Sequence, residues 1–184
     1  MVSGNFSSLL GALPTEPPFG EPIQLFHNQG NLSFRPIAEG SGLNDGPMFS
    51  RRGTAFGDIN NDGNLDAVVF NVGAPPSLFL NVTANENHRV LMRLVGVKSN
   101  RAAIGACVTV TTADMTQMDE VRAGSSYLST SDTRLHFGLG RNALMKSIQI
   151  KWPSGLVQEF RNLPADALYE VKEGSVIRKV ASLP

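Results

Sequence analysis

In Ile104-Gly105-Ala106-Cys107-Val108-Thr109-Val110-Thr111, apolar and polar side chains alternate. Ile104, Ala106, Val108 and Val110 share one face while Thr109 and Thr111 take the other, the period-two pattern of a half-buried strand. Ile148, Ile150 and Trp152 repeat it, and Pro153-Ser154-Gly155 then turns the chain. Working outward, strands are predicted at His88–Val95, Ile104–Thr112, Thr116–Ala123, Arg134–Leu139, Ser147–Trp152, Val157–Phe160 and Leu168–Lys172. Beyond a turn at Pro164–Ala167, nothing has the spacing of a helix. Short strands this closely spaced, without a long amphipathic helix, give an all-β fold, a β-sandwich or a similar barrel.

Towards the N-terminus the pattern changes. Pro14, Pro17, Pro18 and Pro22 deny helix and favour extended chain, so residues 1–22 read as a lead-in. Ile23–His27 reads as a strand, Asn28–Asn31 as a turn and Leu32–Arg35 as the returning strand. Thr54–Gly57 leads into an acidic loop, and Leu65–Phe70 leaves it as a strand. Leu25-Phe26-His27-Asn28 and Leu78-Phe79-Leu80-Asn81 share a Leu-Phe-x-Asn pattern, at a period that suits a propeller blade. The polar stretch Thr83–Asn87 marks a boundary between segments 23–83 and 84–178.

Composition fits this reading. The 184 residues include 18 glycines and 11 prolines, as turns between short strands require. Sixteen basic residues balance sixteen acidic ones, so no global field draws in nucleic acid or an anionic membrane. No apolar run is long enough to span a bilayer, and Met1–Leu13 lacks the positive start of a signal peptide. The single cysteine, Cys107, rules out an internal disulfide and reads as a small strand residue, with no His or basic neighbour to activate it. Asn5, Asn31 and Asn81 begin glycosylation sequons, relevant in a secreted eukaryotic setting.

The sharpest chemical signal is Asp58-Ile59-Asn60-Asn61-Asp62-Gly63-Asn64-Leu65-Asp66. Oxygen-bearing side chains fall at loop positions one, three, five and nine, with Gly63 at the bend. The carbonyl of Asn64 is available at position seven. Calcium is a hard cation that takes six to eight oxygens, and such a loop supplies them; magnesium demands a stricter octahedron. An EF-hand would need a Glu at position twelve and flanking helices, but Val69 stands there and both flanks read as strands. The alternative is a plain Asp/Asn/Gly turn. Three carboxylates within nine residues repel one another without a cation, which favours metal. The predicted ligands are therefore Asp58, Asn60, Asp62, Asn64 and Asp66, around a Ca2+ of structural role.

Other constellations carry less. His27, His88 and His136 sit on separate predicted strands, where isolated histidines are usually structural. Gly138-Leu139-Gly140 lacks the third glycine and the helix of a dinucleotide fingerprint, and reads as a strand ending. The hydroxyl-rich stretch around Tyr127 has no nucleophile pattern and reads as a polar loop. No enzymatic constellation is present.

Gly53-Thr54-Ala55-Phe56-Gly57 together with the acidic loop resembles the FG-GAP/VCBS repeat of integrin-like propellers. Leu94–Arg101, Ile104-Gly105-Ala106, Glu120–Gly124, Leu135–Gly140 and Trp152–Gly155 resemble the ASPIC/UnbV domain. The two resemblances span residues 23–174. They imply a partial propeller-type repeat at 23–83, an ASPIC/UnbV-like sandwich at 84–178, and further propeller repeats as associates. They also imply an extracellular or envelope location, no catalysis, and calcium at the acidic loop, although Asn60 stands where such repeats often carry Asp. The expected function is a calcium-binding module for adhesion or interaction with a protein or glycan. The competing reading is a carbohydrate-binding or hydrolase-accessory domain that uses Tyr127 and Trp152, for which both rings must be exposed.

Overall fold

The computed structural model describes residues 20–37 and 39–184. Most of the predicted lead-in and the Asn5 sequon lie outside the described residues. No α-helix occurs among the described residues; the chain is all-β. Its contacts divide it into two units, one holding the described residues up to Ala55 with Ala67–Phe79 and Ser126–Ser129, the other Phe56–Asp66, Leu80–Ser125 and Thr130–Pro184.

In the first unit, β1 (Phe26–Gly30) and β2 (Ser33–Pro36) form an antiparallel hairpin. Its tip is Asn31-Leu32, both at positive φ (50° and 60°), as a tight two-residue hairpin turn requires. The strand therefore starts later than the expected Ile23. Ile23 is nevertheless buried, and the Asn44 side chain satisfies both its backbone groups: Ile23 N–H donates to Asn44 Oδ1 at 2.7 Å, and Asn44 Nδ2 donates to Ile23 O at 3.0 Å. A polar side chain thus stands in for a neighbouring strand. The other sheet has the order β3 (Arg51–Gly57), β4 (Asp66–Asn71), β5 (Ser77–Phe79). No closed propeller forms among the described residues.

The second unit contains β6 (His88–Val95), β7 (Cys107–Thr111), β8 (Thr116–Glu120), β9 (Leu135–Gly140), β10 (Leu144–Lys151), β11 (Val157–Pro164), β12 (Ala167–Lys172) and β13 (Ile177–Ser182). They build two four-stranded sheets, ordered β11-β10-β7-β8 and β13-β12-β6-β9. Every pairing is antiparallel except that of β6 with β12. One cluster of buried residues joins the two sheets, the β-sandwich expected from the alternation. Val108, Val110, Met145, Ile148, Ile150 and Trp152 meet Val90, Met92, Leu94, Phe137, Tyr169 and Val171 within it. Burying each aliphatic side chain of this kind stabilises the fold by about 1.5–3 kcal/mol.

Ile104 departs from the expected face. It is 39% exposed and precedes β7, which begins only at Cys107. Ala103 and Gly105 both take positive φ (57° and 89°), and Asn100 caps the resulting turn by bonding both backbone groups of Ile104. Ala106, Val108 and Val110 keep the inward phase, while Cys107 is half-buried and unpaired.

Candidate functional site

The acidic loop lies within the second unit, between β3 and β4. Its tight path is set by Asn61 and Gly63, both at positive φ (58° and 83°). Gly63 is needed for a second reason. A β-carbon there would fall 2.2 Å from Arg89 Nε.

The carboxylates organise the loop through its own backbone. Asp58 Oδ1 accepts from Asp62 N at 3.0 Å and Oδ2 from Gly63 N at 3.0 Å. Asn60 Oδ1 also accepts from Asp62 N, and Asn60 Nδ2 donates to Asp62 Oδ2 at 2.8 Å. Asp62 Oδ1 accepts from Asn64 N at 2.7 Å. Asp66 Oδ2 accepts from Ile59 N at 2.9 Å and Oδ1 from Asn81 N at 2.8 Å, closing the loop at its far end. The Asn64 N–H, then the Asn60 amide, hold the Asp62 carboxyl below the usual carboxylate range against some desolvation, and Arg89 adds to the lowering.

Basic side chains surround the loop but bind its carbonyls. Arg89 Nη2 donates to Asp62 O at 2.8 Å, Arg134 Nη2 to Asp58 O at 2.8 Å, and His136 Nε2 to Gly63 O at 2.7 Å. Because a carbonyl only accepts, His136 carries its hydrogen on Nε2. Asp58 and Asp66, 4% and 1% exposed, form no ion pair among the described residues.

The donor chemistry fits a hard cation, since each carboxylate oxygen has two lone pairs and spends one on an N–H. The side chains are strung along the loop, however. Among the described residues no three His, Cys, Asp or Glu side chains converge as metal ligands. Asn60 is exposed and Asp62 and Asn64 are half-buried, whereas Asp58 and Asp66 are buried.

With that geometry in view, comparison with known proteins is informative. The family profile described as ASPIC and UnbV matches residues 96–178. That stretch of the chain is similar to the ASPIC/UnbV family. Cartilage acidic protein 1 of Mus musculus is 42% identical over 64 residues, which cover 35% of this chain and 10% of that relative. Cartilage acidic protein 1 of Homo sapiens is 32% identical over 118 residues, 62% of this chain and 17% of the relative. The chain spans only those small fractions of either relative.

The histidines do not assemble a site. His27 is exposed on β1, His88 Nδ1 pairs with Asp166 Oδ2 at 2.6 Å, and His136 anchors the acidic loop from β9. Trp152 is 2% exposed and sits in the domain core, whereas Tyr127 is 62% exposed. Gly138-Leu139-Gly140 ends β9, as expected. Beside the loop, Asp58, Asp119, Arg122, Asp132, Arg134 and His136 line a cleft of about 250 Å³. Four of its charges are matched, Arg122 holding Asp119 at 2.8 Å and Arg134 holding Asp132 at 2.5 Å, while Asp58 has no ion pair among the described residues. Arg89 and Arg134 escaped the sequence reading. The phase of β9 put His136 on the outer face, but nothing local named its partner.

Proposed function

We propose that this chain is a non-catalytic, extracellular ASPIC/UnbV module for adhesion or protein interaction, with one calcium ion held by the Asp58–Asp66 loop. The observation that carries the reading is the pair Asp58 and Asp66: two buried carboxylates on one loop, a third at Asp62 between them, and no ion pair to either buried one. Buried charge without a counter-ion is costly, and a divalent cation removes that cost. Asp58, Asn60, Asp62, Asn64 and Asp66 are the proposed donors, with Asn60 and Asp62 turning inward on binding. The loop follows a strand that resembles an FG-GAP/VCBS repeat, which supports calcium rather than magnesium. Relatives named for cartilage support the extracellular setting. The carbohydrate-binding alternative that pairs Tyr127 with Trp152 loses support from the burial of Trp152.

The test is thermal unfolding of the wild type and of Asp62→Ala, in EDTA and in millimolar calcium. A ligand at about a hundred times its Kd stabilises the folded state by about 2.7 kcal/mol, a rise in Tm of several degrees. Calcium is expected to raise Tm of the wild type and to leave the variant unmoved. Curves indifferent to calcium would reduce the loop to a turn.

A further inference from the structure

The chain is neutral overall, yet the outer face of the β13-β12-β6-β9 sheet is not. Val90, Met92 and Leu94 of β6 and Tyr169 and Val171 of β12 point into the core, so alternation turns Arg93, Glu170 and Lys172 outward. Register aligns three residues in a row across adjacent strands: Arg93 opposite Glu170, and Glu170 opposite Arg178. Glu170 is shared, with Arg93 Nη1 at 3.7 Å and Arg178 Nη2 at 2.7 Å. Lys172 stands one pleat further along, opposite Val95, and Arg101 rises beside it from the turn after β6.

Arg93, Arg101, Lys172 and Glu170 line a cleft of about 620 Å³, with the backbone of Gly96 and Ser99 among its walls. Three cations thus line the cleft with one carboxylate, which Arg93 and, from outside the lining, Arg178 pair. Neither Arg101 nor Lys172 forms an ion pair among the described residues. The nearby Glu173 carboxylate is buried, accepts from Val97, Lys98, Ser99 and Ser154, and is not part of the cleft lining.

From this arrangement we propose that the cleft binds a linear sulfated polysaccharide. Strand spacing puts the cationic positions roughly 7–10 Å apart, which calls for several fixed anions along one ligand. Guanidinium forks match sulfate oxygens, and sulfate keeps its charge at every physiological pH. No aromatic ring lines the cleft, so neither stacked bases nor an uncharged sugar has a platform there. Val95 and Val97 are the apolar side chains in the lining, beside five polar or charged ones. The acidic loop contributes nothing to this face, so the inference stands apart from the calcium reading.

The experiment is isothermal titration of the full chain in EDTA, at low and physiological salt, with a dextran sulfate oligosaccharide. Uncharged dextran and an oligoglutamate of equal charge serve as comparison ligands. The variant is Arg101→Ser/Lys172→Ser, whose exposed side chains form no ion pair among the described residues, and whose unchanged Tm confirms its fold. Dextran sulfate is expected to bind the wild type, more weakly as salt rises, and about tenfold more weakly to the variant. Uncharged dextran should not bind. No binding by the wild type, equal affinity in the variant, or equal binding of uncharged dextran would each overturn the proposal. Oligoglutamate binding as tightly as dextran sulfate would overturn it in favour of an acidic peptide.

Discussion

Ser99 presents both its backbone N–H and its hydroxyl to the Glu173 carboxylate, at 2.8 and 2.9 Å. Val97 and Lys98 add their N–H groups at 2.6 and 2.7 Å, and the Ser154 hydroxyl donates as well. Desolvation of this buried group favours its neutral form, but the donors together outweigh it and bring its pKa down from 4.5 to about 2. The folded pKa lies below the unfolded one. The stabilisation is therefore complete above about pH 4.5 and is lost as pH falls towards 2. Urea unfolding of the wild type and Glu173→Gln across pH 2–6 checks this. The wild type should be clearly the more stable near pH 6, and the difference should shrink through that window.

Gly96 makes the same turn possible by a different means. A β-carbon there would lie 2.0 Å from the backbone oxygen of Asn100 and 2.9 Å from that of Ser99. Neither atom can swing aside as a side chain would. Gly96→Ala is expected to cost about 3 kcal/mol, read from the urea midpoint. Gly138→Ala, with nothing within 4 Å of its β-carbon, should change stability by less than about 1 kcal/mol.

Asp66 holds the acidic loop whether or not an ion is bound. Its two oxygens take the N–H groups of Ile59 and Asn81, and the residue is buried. Asp66→Ala leaves both donors without their acceptor. The expected loss is about 2–4 kcal/mol in EDTA, measured by chemical denaturation. A loss seen only in calcium would mean that the carboxylate serves the ion alone.

Much of the sandwich was legible because strands such as β7 and β12 alternate cleanly. His88–Val95 forms with the bounds expected of it. The start of β10 was not legible. Met145 and Ile148 are both buried although three residues apart, and that break in phase hides Leu144–Lys146 from a period-two reading. Strand β13 escaped altogether: it is an edge strand whose residues are mostly exposed, so burial imposes no pattern on Ile177–Ser182. In the loop, spacing identified the oxygen donors, because the chemistry is local to nine residues. Its clamps come from 27, 76 and 73 residues away, at Arg89, Arg134 and His136, and only the fold brings them there.

His136 tests whether that clamp matters for the ion as well as for the fold. Its ring donates to the Gly63 carbonyl at 2.7 Å, fixing the bend between Asp62 and Asn64. His136→Phe keeps the ring volume on β9 and removes the donor, so the loop loses an anchor without a cavity being opened. The stability loss in EDTA should be about 1–2 kcal/mol, the cost of one orphaned acceptor. If the loop binds calcium through the proposed oxygens, loosening its bend also makes ordering them more expensive. The calcium-induced rise in Tm should then be smaller in His136→Phe than in the wild type at the same calcium concentration. An equal rise in both proteins would confine His136 to holding the loop on the sheet, with no influence on the ion.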